Sequence, residues 1–341
     1  MSKTSTWIKK MVGGFALSTA VLTNAQAAEP TEVNMCIFDP IGASGPLYQA
    51  LEDYRAAALS WGAKLKLHTY TDERVASDEF KAGVCDLVNL TGVRARNFNS
   101  FTGTIDSIGS IPSYKHMRMV LDTLATPKAA KYMRQGDYEI VSIVPGGAVF
   151  PFVNDKSIDS PEKLAGKKIA VLDSAPEMQY LVQQVGMTPV GATISNIFSK
   201  WNNHSVDIAG APAVVYEPME LYKGLEPNGG IIDWPLAQVT VQVVARWSKL
   251  PEGFGQKSRE YAQGQFETAM STILASEDRI PKKYWMSVPN ELKDTWTETF
   301  RQNRIALREK SIYDGKALTL FRKIRCNVEP DAAECSATDK E

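Results

Sequence analysis

After Glu29, short apolar runs and helically patterned stretches take turns along the chain. "VNMCIFD" (33–39) is an apolar run ending at a turn, the mark of a buried strand. Leu47, Leu51, Tyr54 and Ala58 then recur at i, i+4, i+7 and i+11, one face of a helix. "GAKLKLHTY" (62–70) predicts a second strand with Leu65 and Leu67 facing one way. "SDEFKAG" (77–83) predicts a short helix capped by Ser77 and ended by Gly83, and "CDLVNLTG" (85–92) a third strand. This βαβαβ order implies a parallel, doubly wound sheet with right-handed crossovers.

A helical region (113–136) and the extended stretch "YEIVSIVPGGAVFPFVN" (138–154) follow, the latter split by Gly146 and Gly147 as at a hinge. The α/β pattern restarts at "DSPEKLAGKKIAVLDSAPEMQY" (159–180), where Ser160 can cap a helix and Pro161 suits its first position. "VDIAGAPA" (206–213) predicts another strand and "PAVVYEPMELYKGL" (212–225) another helix. "IIDWPLAQVTVQVVARW" (231–247) reads as a return crossing. Beyond Pro251 the chain turns helical, with Phe266, Met270, Ile273 and Leu274 marking an apolar stripe. Two α/β units joined by two extended crossings describe a two-lobed clamshell: residues 30–145 form the first part of lobe 1, residues 146–239 form lobe 2, and residues 240–341 return to pack on lobe 1.

The first residues change the compartment. Lys3, Lys9 and Lys10 precede the apolar "MVGGFALSTAVL" (11–22), and "AQA" (25–27) supplies small residues for cleavage, so residues 1–27 read as a signal peptide. The apolar run is too short to span a bilayer, and direct membrane insertion is not expected. Cleavage would leave 35 basic against 39 acidic residues, a net of −4. That charge gives no electrostatic reason to seek nucleic acid. Export to an oxidising compartment favours two disulfides among the four cysteines. Cys326 pairs readily with Cys335 across a short loop. Cys36 comes within reach of Cys85 if the strand order is 2-1-3. The spacings supply neither CxxC nor nearby histidines for zinc, and no cofactor is implied.

Ligands of such folds sit outside the carboxyl ends of the strands. The first turn carries Gly42 and Ser44 at a helix N-terminus, where backbone N–H groups favour an anion, although a plain strand-to-helix turn fits the same residues. Neither GxGxxG nor a phosphate-loop Lys-Ser/Thr is present. Thr91 closes the third strand, and Arg94 and Arg96 follow it. On a helix these two arginines would point about 200° apart, so one of them, Arg94, is expected to face the cleft and grip a carboxylate. Asp173 and Ser174 stand at a helix start, as N-cap or ligand contact. Ala211 lets a ligand approach the backbone, while Tyr216 and Trp234 are candidate cleft walls or core anchors. Three histidines (His68, His116, His204) on separate elements, with no GxSxG or HExxH, give catalysis little support.

"SPEKLAGKKIAVL" with "VGMTPVGATISNIFSKWNNHSVDIAGAP", and "FKAGVCD", resemble segments of TRAP-type (DctP-like) solute-binding proteins. "MCIFDPIGASG", "FKAGVCDLVNLTGVRARNF" and "SIYDGKALTLFRKIRC" resemble more closely the exported AdeT-like solute-binding proteins, over nearly the whole mature chain. The resemblance implies a periplasmic, type II binding-protein fold that traps a small organic acid and delivers it to a membrane permease. The position of the TRAP family's carboxylate-binding arginine reads Ala170 here, so either Arg94 or Arg246 replaces it or the ligand is not a simple carboxylate. An envelope adaptor associated with efflux components is the alternative role on this fold, and an exported enzyme a third.

Overall fold

Strand β1 (Thr31–Phe38) shows how the core is divided. Its Val33, Met35 and Ile37 enter one apolar cluster with Tyr54, Ala58 and Phe254, while Cys36 and Phe38 enter another on the opposite face. A strand buried on both faces needs a continuous apolar run, and that is what the sequence supplies. The computed structural model describes residues 29–341, and the signal segment lies outside the described residues.

Helix α1 (Pro46–Ser60) follows, then β2 (Ala63–Tyr70), α2 (Glu73–Ala82) and β3 (Leu87–Thr91). β1 pairs in parallel with both β2 and β3, giving the order β2-β1-β3. That order brings Cys36 beside Cys85, with Cα atoms 5.7 Å apart, and the two are bonded; Cys326 and Cys335 form the second disulfide. α2 begins five residues earlier than the Ser77 cap predicts. Asp72 is the cap, its Oδ1 accepting from the N–H groups of Arg74 and Val75, and Ser77 is buried inside the helix.

After helix α3 (Tyr114–Ala125), strand β4 (Tyr138–Val153) runs for 16 residues. The second unit holds β5 (Lys168–Leu172), α4 (Pro176–Gln184), β6 (Thr188–Ala192), α5 (Ile194–Asn202) and β7 (Ile208–Pro212). Strand β8 (Ala237–Arg246) returns antiparallel to both β3 and β4. The main sheet therefore reads β2-β1-β3-β8-β4-β7-β5-β6, with β4 and β8 crossing between two parallel units. Pairing of β4 with β8 slips where Val239 gives way to Thr240, opposite Gly146. Gly147 there has φ +109°, which only glycine adopts without strain.

The expected helix over 212–225 is broken into a 3₁₀ turn (Ala213–Val215) and a short helix (Tyr222–Leu225), with Pro218, which lacks an N–H, between them. Residues 161–164 form one 3₁₀ turn, and Ser160 makes no side-chain cap bond. Four long C-terminal helices follow, α6 (Phe254–Gly264), α7 (Phe266–Arg279), α8 (Asn290–Glu309) and α9 (Gly315–Val328), and then a single turn (Ala333–Ser336). Phe266, Met270, Phe300, Leu307 and Phe321 from three of them join the cluster that holds Cys36 and Phe38.

Candidate functional site

The first turn holds its own anion. Asp39 is fully buried at the end of β1. Its Oδ1 accepts from the Ile41 N–H at 2.8 Å, and its Oδ2 accepts from the N–H groups of Leu47 and Tyr48 at 2.9 and 3.0 Å. The α1 N–H groups expected to receive a ligand are therefore already satisfied. A Cβ on Gly45 would fall 2.0 Å from Asp39 Oδ1, which explains glycine at that position. Gly42 is buried with φ +85°, and Ser44 points to solvent.

The carboxyl end of β3 is more charged and more buried. Glu73, at the first turn of α2, accepts on Oε1 from the Thr91 N–H and hydroxyl at 2.6 and 2.7 Å. Its Oε2 accepts from Arg94 Nε at 2.8 Å. Arg94, 7% exposed, sends Nη2 across to Asp173 Oδ1 at 2.9 Å. Arg96 also turns inward: its Nη2 donates to Glu177 Oε1 at 2.5 Å, and its guanidinium lies over the Tyr313 ring. The 200° rule fails because the helix here is one turn long (Gly92–Ala95), and Arg96 lies just beyond it. Both arginines of lobe 1 thus meet acids of lobe 2, and Ser195 adds a third link by donating to Asp72 at 3.2 Å.

Burial sets the electrostatics. Desolvation raises the Glu73 carboxyl above its ordinary range, with Arg94 and Thr91 opposing it. Asp106, enclosed behind Gly92, accepts from the Thr240 N–H and hydroxyl, yet burial pushes it up to about 7. Three buried atoms beside the arginine–acid pairs have no hydrogen-bond partner among the described residues: Arg96 Nη1, Glu177 Oε2 and Ser174 Oγ. Buried polar atoms are ordinarily paired. This cluster thus leaves one donor, one acceptor and one hydroxyl unmatched.

The remaining candidates fall elsewhere. Asp173 and Ser174 do not cap α4, whose N-cap is Ala175, so Asp173 is left for Arg94. Ala211 and Tyr216 belong to the core of the second unit, where burial pushes the Tyr216 phenol up to about 12. Trp234 lines an apolar cavity that none of Arg94, Arg96, Asp173 or Glu177 reaches. Arg246 donates to the carbonyls of Phe80 and Lys81 and stacks on Phe80 and Tyr138, so it is not free to replace the missing arginine. Glu217 pairs with Arg279. Sequence reasoning missed Glu73, Glu177 and Asp106. The one local signal was the acidic pair Asp72–Glu73 at a helix start.

A crossed, two-lobed sheet with buried charges facing one another at the strand ends is the architecture of a periplasmic-type solute-binding protein. The chain matches the family described as "Solute-binding protein AdeT 1/2" over residues 56–340, and it belongs to that family. It is 40% identical over 304 residues to the "Probable solute-binding protein AdeT1" of Acinetobacter baumannii, covering 89% of this chain and all of that one. In fold it is similar to a TRAP periplasmic solute-binding protein from Desulfovibrio salexigens solved with bound orotic acid (TM-score 0.72, 13% identity, 87% of this chain and 99% of that chain). It is similar also to one from Haemophilus influenzae RdAW with bound L-gulonate (TM-score 0.71, 13% identity, 86% and 99%).

Proposed function

We propose that this solute-binding protein works in the periplasm, capturing a small organic acid between its lobes and passing it to a membrane transporter. The observation that carries the reading is the reach of Arg94 across the cleft to Asp173. Asp173 is a half-exposed carboxylate on the opposite lobe, and it occupies a guanidinium edge that a ligand carboxylate would use equally well. Asp173 therefore stands in for the ligand's acid group, and Arg94 takes the role that Ala170 leaves unfilled. Ser174 and Arg96 Nη1 would meet the ligand's remaining polar atoms, with Thr91 holding Glu73 behind them. Gly42, Ser44, Ala211, Tyr216 and Trp234 would support the two lobes away from the acid rather than contact it.

The slip at Gly146–Gly147 supports lobes of residues 30–145 and 146–239, with 240–341 packing on the first, that close about this bulge. The signal-like residues 1–27 and the periplasmic relatives support export. Among the described residues no helix is long and apolar enough to cross a membrane, so transport would need a membrane partner. Binding and release, rather than turnover, is the role that fits.

The test is a thermal-shift screen of the oxidised chain against organic acids (orotate and L-gulonate among them), amino acids, polyamines and aminoglycosides. A ligand at 100 times its Kd adds about 2.7 kcal/mol of stability. One anionic class should raise the melting temperature, and Arg94→Lys should abolish most of that rise. A response to cations alone, or to nothing, contradicts the proposal.

A further inference from the structure

A second feature stands apart from the charged cluster. Between α4, the sheet of the second unit and α8 lies a cavity of about 110 Å³. Leu181 and Val182 line it from α4, Ile169 and Ile208 from the sheet, and Trp296 and Phe300 from α8. The cavity opens in part to solvent. An engineered protein cavity of about 150 Å³ with a similar aliphatic and aromatic lining stays dry and binds benzene.

We infer that this cavity is a second ligand site, taking an uncharged molecule of about benzene size that carries one hydrogen-bond acceptor. Volume and lining set the size and the apolar body. Among the described residues the only charged member of the lining is Asp159, already paired with Lys163, so the lining itself offers a ligand anion no cation; Lys293, with Nζ 5.6 Å from the centre of the Trp234 ring, lies outside it. Trp234 sets the acceptor: it lines the cavity, and its buried indole N–H has no partner among the described residues. An unpaired buried donor is costly, and a ligand oxygen would relieve it. Met178 and Met187 add side chains that adapt to the shape of an occupant.

The position gives such a ligand a lever on the lobes. Met178 follows Glu177, the partner of Arg96. On the other side, Phe300 packs against Gly109 of lobe 1, and Arg304 of the same helix donates to the Ile108 carbonyl at 2.9 Å. The cavity is therefore walled by one lobe and by a helix fastened to the other.

Phenol and toluene, nearly equal in shape, are the probes, titrated into the full oxidised chain by calorimetry or ligand-observed NMR. Both should bind. Trp234→Phe should weaken phenol about fivefold, the worth of one hydrogen bond, and leave toluene within twofold. Leu181→Trp should fill the space and abolish both, while cooperative unfolding is retained; Val182→Phe serves if that variant does not fold. No binding of either probe up to its solubility, or binding that survives both filling variants, overturns the site. Equal responses of the two probes to Trp234→Phe overturn the acceptor assignment.

Discussion

Arg94 and Asp173, 79 residues apart in the chain, meet across the cleft with Nη2 2.9 Å from Oδ1. The pair is lopsided: Arg94 is nearly buried and held from behind by Glu73, whereas the Asp173 side chain is 38% exposed. On the proposed function the arginine is the fixed partner and the aspartate the exchangeable one, so removing Asp173 would remove a competitor. Asp173→Ala should tighten binding of the organic acid about fivefold, in line with the roughly 1 kcal/mol of an exposed ion pair, with little change in the stability of the free protein. Calorimetric titration of both proteins checks this, and weaker binding in the variant would count against the competition.

Arg94→Ala should behave differently. It leaves the Glu73 carboxylate, 1% exposed, with only Thr91 as partner. Stripping one partner from a buried pair costs about 3–5 kcal/mol. Urea denaturation should show that loss, and Glu73→Gln in the same background should recover part of it.

Asp106 predicts a pH dependence. Its carboxyl rises from 3.8 to about 7 on burial. A raised acid contributes stability that is complete below about pH 4 and is lost as pH climbs through about 7, by at most about 1.4 kcal/mol per pH unit. Asp106→Asn should flatten that slope between pH 4 and 7, and the difference between the two unfolding profiles isolates the group. Parallel profiles would mean that Asp106 titrates normally.

The two disulfides should differ in worth. Cys36–Cys85 closes a loop with a sequence separation of 49 and Cys326–Cys335 one of 9. On the chain-entropy model these contribute about 4 and about 2.6 kcal/mol. Paired Cys→Ala variants compared by denaturation should fall in that order.

Asp39→Ala should strip three N–H groups of their acceptor and cost about 1–2 kcal/mol, as loss of a helix cap does. Chloride or formate should then protect the variant and not the parent, seen as a salt-specific rise in melting temperature.

These relationships also show which parts of the molecule the sequence could reveal. The first three strands were legible because each is an apolar run bounded by a turn, and the order β2-β1-β3 made the Cys36–Cys85 pairing a local matter of neighbouring strands. The start of α2 was not, because Asp72 and Ser77 are both acceptable caps. What draws the helix start back is Glu73, whose partners Thr91 and Arg94 lie 18 and 21 residues away. Arg94 could be singled out from its place at a strand end. Arg96 could not be paired with Glu177, since that pairing spans 81 residues and depends on how the lobes meet. Asp39 looked like the ordinary end of a strand, and only the fold shows its carboxylate curling into the turn it precedes.

The most direct test of the central claim is a crystal structure with whichever organic acid stabilises the protein. The ligand carboxylate should lie on Arg94 Nη2, with Asp173 displaced from it and the Glu73–Arg94 pair intact. A ligand bound elsewhere, with Arg94 and Asp173 still joined, would contradict it.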